Sequence, residues 1–280
     1  MTNADTFPSF RHRTVRGADD VTLDVRVAEG DPGAPVVLFA HGWMVSGAVW
    51  DAFFDVWRKS PPLSRRPTFV VPDQRGTGRS GTPTSPDAYG LADYGRDLLA
   101  IADTLPAKRF AIVGHSMGGQ IAQWTASEAP ERVSGMALLS PVPLGGLTFP
   151  DDARTLFATS AGDRAKQGMI LDSACKLLTP EARNRMLDDA AHTDAACIRT
   201  SFETFLRGAD AARLDAVRAK SLVVATDDPF LPVEFLENSI VRAIRDAEIL
   251  VVDGAGHYPQ VESPSATVDV VRRFVASLPE

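Results

Sequence analysis

The amino-acid sequence predicts an α/β fold with a mostly parallel sheet covered by helices on both faces. Three observations support this prediction. Short continuous apolar runs recur along the chain, each bounded by turn residues, as expected for buried parallel strands. Segments with helical periodicity separate most of these runs. From residue 141 to about residue 215 the strand-like runs disappear, so we expect an all-helical insertion there.

Eight segments have the composition of strands. Residues 10–16 and 21–28 are joined by a turn-rich stretch at 17–20, which predicts a hairpin. Apolar and polar residues alternate in the second segment, so we expect one of its faces to be solvated, as at a sheet edge. The other six are continuous apolar runs at residues 36–40, 68–71, 110–113, 133–139, 222–226 and 248–252.

Helical patterns fill most of the remaining chain. They predict helices at residues 48–57, 91–105, 117–130, 151–161, 164–178, 179–191, 194–207, 233–244 and 265–278. The 179–191 helix has Thr179 as its N-cap and Pro180 at its first position. We therefore divide the chain into a core domain, residues 1–140 and 216–280, and a helical cap, residues 141–215.

The place of the cap in the chain predicts what it covers. It follows the strand at 133–139, and so begins at the carboxyl ends of the parallel strands, where open α/β sheets bind ligands. The cap should therefore lie over the functional site and help to choose the substrate. Prolines and glycines at 141–147 are expected to let it move.

Composition excludes several functional classes. The net charge is −7 and no basic cluster is present, which argues against a nucleic-acid surface. We expect no signal peptide in the first thirty residues and no membrane span, and so a cytoplasmic protein. Cys175 and Cys197 are too few for a disulfide framework or a thiolate zinc site, and we expect both to be reduced. Nothing in the sequence indicates an oligomeric state.

The stretch from Phe110 to Gly119 is the most informative part of the sequence. An apolar run leads directly into Gly-His-Ser-Met-Gly, the G-x-S-x-G pattern, and a helical segment follows. In such a tight turn the residues two before and two after the serine nearly touch, which Gly114 and Gly118 allow because they lack a Cβ. We expect Ser116 to be held in a strained conformation above the sheet, as a nucleophile.

A serine nucleophile needs a base, and the base needs an orienting group. His257 lies in a Gly-rich loop after a buried strand, where such a fold presents functional side chains, so we predict it as the base. We expect His41 and His115 to be structural. We expect His12 and His192 to be exposed.

Two adjacent aspartates compete for the orienting role. Asp228 and Asp227 both follow the strand at 222–226; we favour Asp228 and expect Asp227 to be solvated or to cap the loop. Asp253 is too close in sequence to His257 to reach back onto its ring. The loop after the strand at 133–139 has Ser140 where an acid would otherwise be possible.

A second motif points to a different chemistry. Residues 76–81 match G-x-G-x-x-G directly after a strand, which is the pattern of a dinucleotide-binding loop. That site also needs a helix that begins at the glycines and faces the pyrophosphate. The following Thr-Pro-Thr-Ser-Pro cannot begin a helix, so we favour a structural turn.

Five segments together resemble the α/β-hydrolase superfamily over nearly the whole chain: HGW at 41–43, DQRGTGRS at 73–80, GHSMGG at 114–119, DDPFLP at 227–232 and GAGHYP at 254–259. The resemblance implies the α/β-hydrolase sheet of eight strands and the triad order Ser116, Asp228, His257. HGWM and the downstream Trp-Asp pair are similar to the cofactor-free arylesterases and non-haem haloperoxidases. Members with perhydrolase activity commonly have Pro where this chain has Met44.

The resemblance also implies an oxyanion hole and a pocket. The backbone N–H groups of Trp43 and Met117 would donate to the oxygen that becomes anionic when an ester is attacked. Apolar residues expected to line the pocket are Met44, Leu144, Leu147, Phe149, Phe230, Leu231 and Tyr258, with Trp43 and Met117.

These features predict a serine hydrolase that cleaves a carboxylic ester of a small or medium apolar molecule through an acyl-enzyme. No metal or cofactor is expected, because no cluster of residues has ligand spacing. A carbon–carbon bond hydrolase or a perhydrolase would use the same triad, and a slow-turnover ligand receptor would retain it. A dehalogenase or an epoxide hydrolase would need a carboxylate in place of Ser116.

Overall fold

The computed structural model describes residues 7–278. The strands are β1 (Arg11–Arg16), β2 (Thr22–Ala28), β3 (Val36–Ala40), β4 (Thr68–Pro72), β5 (Phe110–His115), β6 (Val133–Leu139), β7 (Lys220–Thr226) and β8 (Ala247–Val252). They form one eight-stranded sheet in the order β1-β2-β4-β3-β5-β6-β7-β8. The pairs β1–β2 and β2–β4 are antiparallel, and the five pairs from β4 to β8 are parallel. The mostly parallel sheet is confirmed.

Helices cover the sheet on both faces. In the described residues the α-helices are α1 (Asp51–Trp57), α2 (Leu91–Asp103), α3 (Met117–Glu128), α4 (Asp151–Ala158), α5 (Arg164–Ala174), α6 (Pro180–His192), α7 (Ala195–Arg207), α8 (Val233–Leu236), α9 (Pro259–Glu262) and α10 (Pro264–Ala276). Every residue of the central strands β3 and β5 is buried, which requires cover on both sides. Helix α1 packs against α10, and α2 packs against α3.

The second strand is not at the sheet edge, contrary to the expectation from its alternating pattern. β2 lies between β1 and β4, and β1 forms the edge. The apolar residues of β2 point into the core, whereas on the other face Asp24 is hydrogen-bonded to His12 and Arg26 forms an ion pair with Asp51. The alternation therefore reports one face packed in the core and one face that makes polar contacts, and not a missing neighbour strand.

Several helix boundaries differ from those expected. Residues 48–57 are divided between a 3₁₀ turn, Gly47–Trp50, and α1, and α8 continues into a π-helical turn, Glu237–Val241. Helix α5 ends at Ala174, because the following residues leave the helix to contact the loop that contains His257. The short helix α9 was not predicted.

The helical cap consists of α4–α7, between β6 and β7; its predicted limits of 141 and 215 stay predictions. The predicted outer limits of the core domain, at residues 1 and 280, lie outside the described residues. The linker that we expected to allow movement is paired with the chain leaving the cap: Leu147 N donates to Leu206 O at 3.1 Å, and Ala209 N donates to Leu144 O at 2.8 Å.

The loop with the G-x-G-x-x-G pattern is a structural turn, and no helix begins between Gly76 and Gly90. Gly78 has a φ of +52°, and a Cβ at this position would lie 2.3 Å from Asp73 Oδ2. The Asp73 carboxylate accepts hydrogen bonds from the N–H groups of Gly47 and Arg79. Gly78 therefore faces Asp73, Gly76 faces Cys197 and Tyr89, and Gly81 faces Thr22, so all three glycines contact the protein itself.

A buried ion pair attaches this loop to α2. The Arg75 guanidinium is completely buried and donates two hydrogen bonds to the Asp97 carboxylate, each 2.7 Å long. It also donates to the carbonyl oxygens of Ala88 and Ala18. Removing one member of such a pair leaves an uncompensated charge in the core.

Asp97→Ala should therefore lower the free energy of unfolding by roughly 3–5 kcal/mol. Chemical denaturation of the variant beside the wild type measures this. The matched control is Asp103→Ala, which removes a surface pair with Arg132 and should cost about 1 kcal/mol or less. Equal losses in the two variants would contradict the structural role of the buried pair.

Candidate active site

Ser116 lies at the sharp turn between β5 and α3 and has φ of 53° and ψ of −119°. A non-glycine residue seldom adopts a positive φ, and such strain persists only where the surroundings enforce it. A Cβ on Gly114 would lie 2.6 Å from Gly118 O, and one on Gly118 would lie 2.2 Å from Ala40 O. The turn therefore requires glycine at both positions, and it presents the serine hydroxyl beyond the end of the sheet.

Three side chains from three separate loops meet at this hydroxyl. His257 Nε2 lies 2.9 Å from Ser116 Oγ, and His257 Nδ1 lies 2.6 Å from Asp228 Oδ2. The other Asp228 oxygen, Oδ1, accepts a hydrogen bond from Phe230 N at 2.8 Å, which fixes the plane of the carboxylate. Asp228 and His257 are both buried, so bulk water competes little for these contacts. The geometry lets the imidazole accept a proton from the serine while Asp228 holds its tautomer.

Asp227 faces away from the imidazole. Its Oδ2 lies 3.0 Å from Lys176 Nζ, and 44% of its side chain is exposed. The hydrogen bond from Lys176 lowers the pKa of the Asp227 carboxyl. Asp253 is also exposed. Of the aspartates considered from the sequence, the structure brings only Asp228 to His257.

The backbone on either side of the imidazole is also fixed. His257 N donates to Ala174 O at 2.9 Å, and His257 O lies 2.8 Å from His115 Nε2, which donates to it. Gly256 O accepts from the Thr226 hydroxyl at 2.8 Å. The histidine loop, residues 254–258, is thus held by the sheet, by the residue before Ser116 and by the cap.

The other buried histidines hold backbone groups. Burial, together with the nearby His257, lowers the pKa of His115 well below its usual value, and burial lowers the pKa of His41. His41 Nδ1 donates to Gly42 O, and its Nε2 accepts from Gln74 N. The exposed histidines are His12 and His192.

Two backbone N–H groups beside Ser116 are free to bind an oxygen. In residues 7–278, neither Trp43 N nor Met117 N donates a hydrogen bond to the protein. Met117 N belongs to the first turn of α3, where unpaired amides favour negative charge. Gly42, which precedes Trp43, packs so closely that a Cβ there would lie 3.2 Å from Ser116 Cβ. Met117 thus follows Ser116 directly in the chain, and Gly42 brings the backbone before Trp43 close to the serine.

An apolar cavity of about 470 Å³, including its open mouth, adjoins Ser116 and His257. Core and cap both contribute its walls: Trp43, Val142, Leu147, Phe149, Phe157, Ile170, Ala174, Phe205, Phe230, Leu231 and Tyr258. The rings of Trp43 and Phe157 are stacked with centroids 5.4 Å apart, and Phe149 lies 4.9 Å from Phe157. No Asp, Glu, Lys or Arg side chain of the described chain is part of this lining.

Comparison with known proteins identifies the family. A family model described as the alpha/beta hydrolase fold matches residues 35–264. The chain belongs to the alpha/beta hydrolase family. The family match includes β3 to β8, the cap and the loops of all three site residues.

The relatives of this hydrolase have different names. It is 29% identical over 242 residues to RutD of Variovorax paradoxus, a candidate carbamate hydrolase, covering 81% of this chain and 86% of RutD. It is 35% identical over 130 residues to epoxide hydrolase A of Mycobacterium tuberculosis, and this match covers 45% of this chain and 38% of the epoxide hydrolase. The structure of the esterase EaEST from Exiguobacterium antarcticum superposes with a TM-score of 0.81 at 17% identity, covering 96% of this chain and 100% of EaEST. A likeness at this low identity shows a shared fold alone.

Three residues expected in the pocket of the hydrolase do not line its cavity. Met44, with a φ of 65°, directs its side chain into the core, and Leu144 is completely buried beside α3. Met117 is likewise buried and not part of the lining. The sequence analysis missed Val142, Phe157, Ile170, Ala174 and Phe205. Helical periodicity marks the apolar face of a cap helix but does not tell whether this face meets the core or a cavity.

The part of the hydrolase that the structure describes has neither a metal-binding cluster nor a membrane-spanning helix. No three His, Cys, Asp or Glu side chains cluster as they would around a metal ion. None of its helices is both long and apolar enough to cross a membrane. Cys175 and Cys197 are free thiols, and burial raises the pKa of both, that of Cys197 to about 12.

The two adjacent aspartates provide a matched test of the site. Asp228→Asn should lower kcat by about 10⁴, because the imidazole would be held in the wrong tautomer. Asp227→Asn removes only an exposed ion pair and should change kcat by less than about threefold. Steady-state hydrolysis of p-nitrophenyl acetate measures both. If the Asp227 variant had the larger loss, the assignment of the acid would be wrong.

Proposed function

We propose that this hydrolase cleaves a carboxylic ester of a small or medium apolar molecule. The observation that supports the proposal most strongly is the hydrogen-bonded series from Ser116 Oγ through the His257 imidazole to Asp228 at the end of an apolar cavity. A serine in this setting is activated because a correctly oriented base can remove its proton as it attacks.

The proposed reaction has two stages. Ser116 Oγ attacks the ester carbonyl carbon while His257 Nε2 takes its proton, and the carbonyl oxygen becomes anionic. The free amides of Trp43 and Met117 donate to that oxygen; each such donor is worth about 3–4 kcal/mol of transition-state stabilisation. His257 then protonates the leaving alcohol, and the acyl group remains on Ser116. Water, deprotonated by His257, attacks the carbonyl carbon of this acyl-enzyme. The bond to Ser116 Oγ then breaks, His257 returns the proton to Oγ, and the acid is released.

The lining of the cavity supports an uncharged, apolar substrate. Its aromatic walls present large apolar faces, and an ion would lose its hydration there without a charged partner. Tyr258 supplies a hydroxyl, and the Trp43 indole N–H is already donated to Ile198 O at 2.8 Å. The aromatic rings favour alkyl or aryl groups on the acyl or the alcohol side.

The relation to RutD supports a second candidate, a carbamate substrate. The same triad can attack a carbamate carbonyl, but the carbamate N–H would need an acceptor. Apart from Ser116, His257 and Tyr258, the side chains lining the cavity in the described chain offer none. The structure therefore favours the ester. The partial match to an epoxide hydrolase is less informative here, because position 116 is serine and not a carboxylate.

Ser116→Ala provides the test of the proposal. This variant should lose ester turnover by at least about 10³-fold while it keeps the wild-type melting temperature, because the hydroxyl supports no core contact. A panel of p-nitrophenyl esters and the matching phenyl carbamates measures turnover, and thermal unfolding controls for the fold. Wild-type-like hydrolysis by the folded variant would rule out Ser116 as the nucleophile.

The proposed reaction uses no metal ion, so exhaustive dialysis of the wild type against EDTA should leave ester hydrolysis unchanged. Activity that is lost on this dialysis and restored by a divalent ion would contradict the absence of a metal from the proposed reaction.

The cap residues in the lining should set the size of the substrate. Leu147→Trp fills part of the cavity and should lower kcat/KM for octanoate esters at least about tenfold relative to acetate esters. Leu177→Trp is the matched control, since Leu177 is an exposed cap residue outside the cavity. The ratio of kcat/KM for the two esters measures the effect. An unchanged ratio in the Leu147 variant would show that the cap does not select the substrate.

A further inference from the structure

Glu262 contacts two segments that are distant from each other in the sequence. Its Oε2 accepts hydrogen bonds from Lys176 N at 2.6 Å, from Leu177 N at 2.8 Å and from Gly256 N at 3.0 Å. Its Oε1 accepts from Tyr258 N at 3.0 Å. The first two amides belong to the connection between α5 and α6 of the cap, and the other two flank His257. One carboxylate thus joins the cap to the histidine loop.

Further contacts hold the same two segments together. Ala174 O, at the start of this cap connection, accepts the hydrogen bond from His257 N. A Cβ on Gly256 would lie 2.5 Å from Ala174 O, so the two backbones are in direct contact. The side chain of Lys176 pairs with Asp227, the neighbour of Asp228. The cap connection, residues 174–177, therefore contacts the loops of both His257 and Asp228.

The chemistry of these contacts requires a carboxylate. Four backbone N–H groups converge on two oxygens, and hydrogen bonds to an ionised acceptor are stronger than those between neutral groups. An amide of the same size would replace one acceptor oxygen by an NH₂ group, which would face an N–H donor. Gly256 and Tyr258 are buried, whereas Lys176 and Leu177 are exposed. A buried donor that loses its acceptor is costly, so the loss falls on the histidine loop, which would rearrange.

We propose that Glu262 is a positioning residue that fixes the His257 imidazole by tying the histidine loop to residues 174–177 of the cap. The proposal rests on the proposed function of His257 as the base. Proton transfer from Ser116 depends on a 2.9 Å contact, and a displacement of about 1 Å in such a site can cost 10²-fold in rate. It follows that the cap cannot open at this end without releasing the base.

The direct test is Glu262→Gln. Its kcat for p-nitrophenyl acetate should fall about 10- to 100-fold while KM stays within about twofold, because the imidazole is misplaced and the cavity walls remain. The matched control is Asp194→Asn, which alters another cap carboxylate that accepts hydrogen bonds from Cys197 N and the Tyr89 hydroxyl. The kcat of Asp194→Asn should stay within about threefold of the wild-type value, even if its melting temperature falls as much as that of Glu262→Gln. Equal losses of kcat in the two variants would overturn the proposal.

A second measurement is independent of any substrate. The proton between His257 Nδ1 and Asp228 should give a low-field ¹H NMR signal in the wild type and in Asp194→Asn, and this signal should weaken or disappear in Glu262→Gln. Gly256→Ala would push the same two segments apart, because the added Cβ would lie 2.5 Å from Ala174 O. Its low-field signal should also weaken or disappear, and this variant replaces Glu262→Gln if the latter does not fold. A wild-type signal in the folded Glu262→Gln or Gly256→Ala variant would overturn the role of Glu262. A wild type that cleaves no ester would instead overturn the proposed function, and the NMR comparison would still decide on Glu262.

Discussion

The left-handed backbone of Ser116 is the constraint on which the site depends. It allows β5 to end and α3 to begin within one residue, so that the hydroxyl and the first amide of the helix face the same space. The turn is possible because Gly114 and Gly118 leave room for backbone that approaches within 2.6 Å of where a Cβ would be. The parallel neighbours β3 and β6 support β5 on both sides, so the strain does not relax.

The cap is part of the catalytic frame as well as a cover. The Trp43 indole donates to Ile198 O in α7, and Ser46 N donates to the Asp189 carboxylate in α6 at 2.5 Å. On the other side Glu262 joins the cap to the histidine loop. These contacts reach both loops on which the proposed oxyanion and proton-transfer steps depend. In the proposed reaction, substrate choice and catalytic geometry would therefore be coupled through the same helices.

The sequence was sufficient where local chemistry determines structure. The strands β3 and β6 agree with the predicted limits, because a strand buried on both faces is a continuous apolar run. The tight turn was predictable because glycine at 114 and 118 has a steric cause. Asp228 and His257 were predicted on loops that follow strands of the sheet, in the order that the family resemblance implies, and the structure brings these two side chains together.

Contacts between distant segments were not predictable in this way. Leu144 and Leu147 are equally apolar and three residues apart, yet only Leu147 lines the cavity, because their directions depend on how the linker pairs with the end of α7. Glu262 gave no signal, since its partners are backbone amides, which every sequence provides. The end of α5 at Ala174 also depends on a contact between distant segments. The sequence favours helix as far as residue 178, but the contact of Ala174 O with His257 N ends the helix earlier.

The central claim is that an acyl group is transferred to Ser116 during turnover. Rapid-quench mixing of the hydrolase with a p-nitrophenyl ester, followed by peptide mass spectrometry, tests it directly. We predict that the peptide containing Ser116 gains the mass of the acyl group in step with the first equivalent of p-nitrophenolate. Ester cleavage with the acyl group on another side chain, such as the Cys175 thiol, would contradict the account.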